Sequence, residues 1–118
     1  MLMRMLLFIL MNEVRGVWWV HDLRVAIGRR RVKAAGFQCE TDGDIRIYLD
    51  SSLQDKPMFA GRILMHELIH LLISFEDAYD EMMVRRMERA LWRKMTRDQK
   101  LLFVKKLPSR RKVVKNPE

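Results

Sequence analysis

The sequence predicts an α+β fold, in which a small antiparallel sheet packs on two helices. Residues 44–50 alternate between apolar and polar side chains, which is typical of a strand with one buried face. Residues 56–73 are apolar on almost every side, which predicts a buried helix. Residues 80–95 repeat apolar side chains at intervals of three and four, which predicts a second helix. A chain of 118 residues favours one domain, expected over residues 1–107.

The chain before residue 44 is less clearly patterned. Residues 3–11 are mostly apolar without a clear period, so they fit either a buried strand or a short helix. Residues 17–25 are rich in β-branched and aromatic side chains and predict a strand, which a basic connection over 27–33 follows. Residues 37–39 are expected to pair with 44–50 as a hairpin, because an Asp-Gly turn signal lies between them.

The end of the chain is expected to be less ordered. Thr96 and Asp98 predict the start of a short helix that runs through residue 106. Pro108 ends regular structure, so residues 108–118 are predicted to form a flexible, basic C-terminal tail.

Charge and cysteine content narrow the classes of function. The net charge is +8, with basic residues concentrated in 29–33 and 105–118. Such clusters contact nucleic acid or an acidic partner, although a solvated surface and a solubilising tail are the more common explanation. The single cysteine, Cys39, excludes an intrachain disulfide and favours a cytoplasmic location. The apolar N-terminal run is too short to span a membrane.

The stretch His66-Glu67-Leu68-Ile69-His70 carries the clearest chemical signal. Residues four apart lie one above the other on a helix, so His66 and His70 can present two ring nitrogens to one point. Glu67 lies one residue further round the helix and can reach a water bound at that point. This spacing predicts a zinc site, in which Glu67 is the catalytic general base. The alternative is a pair of core histidines that are satisfied by hydrogen bonds.

A catalytic zinc has three protein ligands and an open position for water. Glu81 is the preferred third ligand, because a helix hairpin would bring the start of the second helix back beside the histidines. Glu76 is the second choice. The remaining alternatives are Asp77, Asp80, Glu88, His21 and Cys39.

The residues resemble those of the zincin metallopeptidases. The resemblance covers residues 36–95 and includes a strand ending at Asp50, the H-E-L-x-H helix, an acidic bend over 76–80 and a second helix that opens with Glu81. The pattern is most similar to small ImmA/IrrE-like and phage-encoded metallopeptidases. It lacks the glycine and third histidine of metzincins, and Arg85 stands where a thermolysin-like motif would have aspartate.

The resemblance implies a compact minimal zincin fold, a Zn²⁺ cofactor and a protein or peptide substrate. It implies that His66, His70 and a carboxylate bind the metal, and that Glu67 is the base in peptide-bond hydrolysis. In zincins the substrate lies along a sheet edge above the metal helix, which would make the strand over 44–50 the platform. Tyr79 and Arg62 are candidate donors to the oxyanion. A phage or prophage origin is also implied.

A second function fits the sequence. The chain could be a zinc-stabilised module without turnover, which holds nucleic acid or a protein partner with its basic tail. Glu67 favours the enzyme, because a structural zinc is usually closed by four protein ligands and needs no base beside it. A third reading is a scaffold or inhibitor protein with a vestigial motif.

Overall fold

A computed structural model describes residues 2–74 and 81–117 of the chain. Its longest helix, α2, lies at the centre and contacts helices, strands and a short 3₁₀ helix. The elements in chain order are α1 (Leu2–Asn12), β1 (Val14–Val20), β2 (Arg24–Ile27), β3 (Arg30–Lys33), β4 (Gly36–Thr41), β5 (Asp44–Asp50), the 3₁₀ helix (Ser51–Asp55), α2 (Pro57–Ser74), α3 (Glu81–Lys94), α4 (Arg97–Lys105) and β6 (Val113–Val114). The predicted α+β class is confirmed.

The main sheet has the order β4-β5-β1-β6 and is mixed. The predicted hairpin is confirmed, since β4 pairs antiparallel with β5 from Gly36 opposite Leu49 to Thr41 opposite Asp44. However, β1 pairs parallel with both β5 and β6, so the prediction of an antiparallel sheet was wrong. A parallel pair needs a long crossover, and here residues 21–43 supply it.

One face of the sheet packs on α1 and α2 to form the core. Val17 and Trp19 of β1 are buried, as are Ile45, Ile47 and Leu49 of β5. Their alternation along each strand is the period-2 pattern that was read from the sequence for β5. The same buried cluster includes Leu6 and Ile9 of α1 and Leu64, Leu68 and Ile69 of α2.

The other face of the sheet has a smaller cluster around Trp18 and Tyr48. Their rings are stacked with centroids 5.9 Å apart. Lys112 and Arg46 lie near the Trp18 ring, with Lys112 Nζ 4.7 Å from its centroid. This face therefore combines aromatic side chains with positive charge.

The strand predicted over 17–25 is interrupted. The chain turns at Asp22, whose φ of 51° is tolerated because a short polar side chain can adopt the left-handed conformation. The segment predicted as a basic connection is a separate two-stranded hairpin of β2 and β3.

The hairpin of β2 and β3 is anchored at its base by the buried carboxylate of Asp50. Oδ1 of Asp50 accepts hydrogen bonds from the Leu23 amide at 2.8 Å and from Lys33 Nζ at 2.7 Å. The other oxygen accepts from the amide of Ser52 at 3.2 Å and from its hydroxyl. Asp50 thereby links the end of β5 to both ends of the hairpin.

The predicted helices after residue 80 are present. α3 fully buries Val84, and Met87, Leu91 and Trp92 pack more loosely against the core. α4 begins at a capping box, in which the Thr96 hydroxyl accepts from the amide of Gln99. α4 packs on α2 through the buried Phe103.

The segment predicted as a flexible tail is paired with the sheet. β6 extends the edge of β1, with Val113 opposite Trp19. The indole of Trp19 donates to the carbonyl of Pro108 at 3.0 Å, and Gln54 donates to the carbonyl of Arg110. β6 thereby pairs with an edge of β1 that would otherwise be open, while the flexibility of residues 108–118 stays a prediction.

Among the described residues, no helix is both long enough and apolar enough to cross a membrane.

Candidate metal centre

α2 positions His66 and His70 on the stripe that faces α3. Most of its remaining side chains are buried, including Leu64, Met65 and Leu68. Side-chain exposure is 13% for His66 and 6% for His70. The sequence folds this way because an apolar helix must bury every side, while these polar side chains need partners.

The ring nitrogens of the two histidines converge with the carboxylate of Glu81. Nε2 of His66 lies 3.0 Å from Nε2 of His70. Oε1 of Glu81 lies 3.2 Å from Nε2 of His66, and Oε2 lies 2.8 Å from Nε2 of His70. Ligand atoms on a tetrahedral zinc are about 3.3 Å apart, given bonds of about 2.0 Å. The three side chains thus have the separations that a shared ion requires, and their ligand atoms all lie within 4.8 Å of one another.

Glu81 reaches the histidines from the first turn of α3. A carboxylate is favourable there because of the partial positive charge at a helix N-terminus. Its side chain is 42% exposed. Nε of Arg85, one turn further along α3, lies 3.2 Å from Oε1 of Glu81 on its solvent side. The predicted proximity of Glu81 to His66 and His70 is confirmed; metal binding by the three residues stays a prediction.

Glu88 orients the ring of His66 from behind. Oε1 of Glu88 lies 2.5 Å from Nδ1 of His66, and Oε2 accepts from Nε of Arg62 at 2.5 Å. An ionised carboxylate only accepts hydrogen bonds, so Nδ1 carries a proton and Nε2 is the nitrogen available to a metal. Carboxylate partners of this kind fix the tautomer of metal-binding histidines. Arg62, predicted as an oxyanion donor, is instead paired with Glu88.

The charges around the histidines shift their pKa values in opposite directions. Burial alone would lower the pKa of His66, but the hydrogen bond to Glu88 and the nearby carboxylates outweigh it and raise the pKa. Burial and the charge of His66 lower the pKa of His70, against the attraction of Glu81. Burial would raise the pKa of Glu88, but hydrogen bonds from His66 and Arg62 lower it. His66 is therefore the more basic of the two histidines.

Glu67 lines, together with His66 and His70, the cleft into which the site opens, and it is 7% exposed. Burial raises its pKa to about 7, with further increases from Glu81 and Glu88 and a decrease from His66. A general base works best when its pKa is near the working pH. The backbone of Gly36 passes close by, and a Cβ there would lie 3.2 Å from Oε2 of Glu67 and 2.7 Å from Cγ2 of Ile63. Glycine at this position leaves room for the Glu67 carboxylate.

The site opens into a cleft of about 950 Å³. α2 and α3 form one side and the hairpin of β2 and β3 the other, with Gly36, Phe37 and Gln38 of β4 along one wall. β4 is the edge strand of the sheet, whereas β5 is paired on both sides. The backbone groups of the predicted platform over 44–50 are therefore already used in the sheet, and the open edge beside the cleft belongs to β4.

Several alternative ligands are not part of this cluster. His21 is exposed in the turn after β1, and Cys39 lies on β4 opposite Arg46. The predicted roles of Glu76, Asp77, Tyr79 and Asp80 fall outside the described residues. Within the described ranges, the metal-type cluster consists of His66, His70 and Glu81.

The donor set fits zinc. Two imidazole nitrogens and one carboxylate are a known three-ligand set of catalytic zinc, which leaves a fourth position for water. In many metal sites the second ring nitrogen of a ligand histidine donates to a carboxylate, as Nδ1 of His66 does to Glu88. The sequence offered Glu88 only as an alternative metal ligand, and its bond to His66 could not be read from spacing.

Comparison of the chain with protein-family models, curated proteins and solved structures gave no significant match.

Proposed function

We propose that the protein is a zinc-dependent peptidase. The observation that carries the proposal is that Glu67 lines the same cleft as the converging His66, His70 and Glu81. A structural zinc needs no base at its side and is usually closed by four protein ligands. Three ligands, a base and an open cleft together favour catalysis.

The residues divide the work of peptide hydrolysis between them. His66, His70 and Glu81 would hold the metal, and Glu88 would keep Nε2 of His66 turned toward it. Bound zinc supplies a Lewis acid that polarises a carbonyl and acidifies water. Glu67 would accept the proton of the attacking water and pass it to the leaving amine. β4 would align the substrate backbone along its open edge.

The decisive experiment combines metal analysis with Glu67→Gln. This change keeps the shape of the side chain and removes the base. We expect about one zinc per chain in both proteins, and hydrolysis of quenched fluorescent peptides only in the unmutated protein. Glu13→Gln, an exposed change before β1 and outside the cleft lining, is the matched control and should retain activity. Absence of zinc from the unmutated protein would overturn the proposal.

A second candidate function is nucleic-acid binding by the basic end of the chain. The observation that favours it is the fixed position of Lys112 beside Trp18, which places positive charge next to an aromatic ring. Single-stranded nucleic acids are bound by such combinations. Binding that weakens steeply with salt and is unchanged in Glu67→Gln would support it. Either function is proposed for a cytoplasmic protein, in keeping with the free Cys39.

A further inference from the structure

The cleft has an apolar end as well as a metal-ligand end. Ile63 lies on α2 one turn before His66 and Phe59 two turns before it, and all three line the cleft. Val25, Ile27 and Val32 of the hairpin line it from the opposite side. An apolar chamber therefore begins beside the histidines and extends toward the start of α2.

Two large side chains of this chamber are left in water. Ile27 is 64% exposed and Phe59 is 48% exposed. Exposed apolar surface that lines a cleft from opposite sides favours the entry of an apolar group, because all three then lose contact with water. Ile27 is on β2 and Phe59 is on α2, and neither side chain is covered by the element that carries it.

The spacing along α2 sets how far this chamber lies from the site. Phe59 precedes His66 by seven residues, which is about 10 Å at about 1.5 Å per residue. An extended peptide covers that distance in about three residues, at about 3.3 Å each. A substrate backbone that passes the histidines can thus place a side chain between Ile27 and Phe59.

The accessible charge around the cleft is positive. Arg89 lines it from α3, beside Arg85, which is paired with Glu81, and Arg29 and Arg30 are exposed at the hairpin tip beside Ile27. The cleft's acidic side chains, by contrast, belong to the histidine cluster: Glu67, Glu81 and Glu88. Charge complementarity therefore favours an acidic ligand.

We propose that the cleft binds an extended, acidic segment of a protein substrate, which places one large apolar side chain between Ile27 and Phe59 and carboxylates beside Arg89 and the hairpin tip. This inference rests on the proposed peptidase function, and it assigns that function a substrate class. Ile27 and Phe59 are specificity residues, because they contact the substrate away from the reacting atoms.

Peptide binding tests the inference without turnover. Short labelled peptides carry either Phe or Ser at one scanned position, in a background rich in Glu or in its uncharged isostere Gln. Binding to the Glu67→Gln protein is measured by fluorescence anisotropy, with and without added zinc. We expect Phe peptides to bind about tenfold more tightly than Ser peptides. We expect the Glu background to be preferred, and that preference to fall as salt is raised.

Matched variants assign the preferences to residues. Phe59→Ala and Ile27→Ala should each reduce the preference for Phe, whereas Phe8→Ala, which removes an exposed ring on α1, should not. Arg89→Gln should reduce the preference for the Glu background, and Arg86→Gln, an exposed change on the same helix outside the cleft lining, should not. Circular dichroism checks that each variant is folded.

The outcomes separate this inference from the peptidase proposal. Equal binding of Phe and Ser peptides, or a preference that survives in both Phe59→Ala and Ile27→Ala, would overturn the inference even if peptides are hydrolysed. Selective binding without hydrolysis by the unmutated protein would overturn the peptidase proposal and leave the assigned ligand class standing.

Discussion

Nδ1 of His66 lies 2.5 Å from Oε1 of Glu88, a residue on a different helix. Glu88 is seven residues after Glu81, so the two carboxylates lie on the same side of α3. Glu81 lies near Nε2 of the His66 ring, and Glu88 lies near Nδ1 of the same ring. A single face of α3 thereby supplies both a candidate ligand and the group that orients another ligand.

Replacing Glu88 by Gln should weaken zinc binding by about 10- to 100-fold, because an amide holds the ring of His66 less firmly and no longer supports its basicity. Competition with a chromophoric chelator measures the affinity. Glu40→Gln serves as the control, since Glu40 is exposed on β4. An unchanged affinity in Glu88→Gln would show that the orienting bond contributes nothing to metal binding.

Glu81→Ala tests the third ligand. Removing the carboxylate leaves two histidines, so we expect zinc affinity to fall by at least about 100-fold, on the order of 3 kcal/mol. The same chelator assay measures the zinc affinity. Glu76→Ala is measured in parallel, because Glu76 is the alternative third ligand. Loss of affinity in Glu76→Ala with retention in Glu81→Ala would reverse the assignment.

Gly36→Ala should damage catalysis more than folding. The new Cβ would press on Ile63 and on the Glu67 carboxylate, so the base must move while the metal ligands stay in place. We expect peptide hydrolysis to fall by at least about tenfold, with zinc content unchanged. Gly43→Ala is a useful contrast: Gly43 has a φ of 84° at the far turn of the β4–β5 hairpin, so its loss should lower stability and spare the chemistry. Full activity in Gly36→Ala would show that Glu67 tolerates the added methyl group.

The carboxylate of Asp50 should make stability depend on pH in the acid range. Burial raises its pKa, but hydrogen bonds from Lys33, Ser52 and Leu23 outweigh it, so the net pKa lies below the ordinary 3.8. A lowered pKa stabilises the fold fully above the unfolded value, and this contribution is lost as pH falls from there through the folded value.

Asp50→Asn should therefore lower the free energy of unfolding by about 2 kcal/mol at neutral pH and by much less in acid. Urea unfolding at several pH values measures the difference. Asp55→Asn, at the exposed last residue of the 3₁₀ helix, should show neither effect. A constant difference between Asp50→Asn and the unmutated protein at every pH would contradict the assigned ionisation.

Local sequence patterns predicted the parts of the fold that depend on short-range geometry. The spacing of His66 and His70 places both on one face of any helix, and the alternation around Ile47 fixes a buried strand face. α1 was left undecided because its run of Leu and Met has no clear period, although these residues are strong helix formers.

The remaining features depend on contacts between distant segments. The parallel pairing of β1 with β5 and β6 is set by packing across the whole sheet, and no local pattern encodes it. The hairpin over 24–33 was missed because both of its strands are largely exposed and lack alternation. Pairing of Glu88 with His66 needed the relative rotation of α2 and α3, which spacing along one helix does not give.

The loose packing of α3 has a consequence for local stability. Val84 is its one fully buried side chain among the described residues, while α2 is buried along most of its length. An ion held by His66, His70 and Glu81 would tie α3 to α2 at the point where apolar contacts are few. Metal removal should then increase the amide hydrogen exchange of α3 far more than that of α2. The wall of the cleft that carries Arg85 and Arg89 would then be ordered by the same ion that the proposed hydrolysis requires.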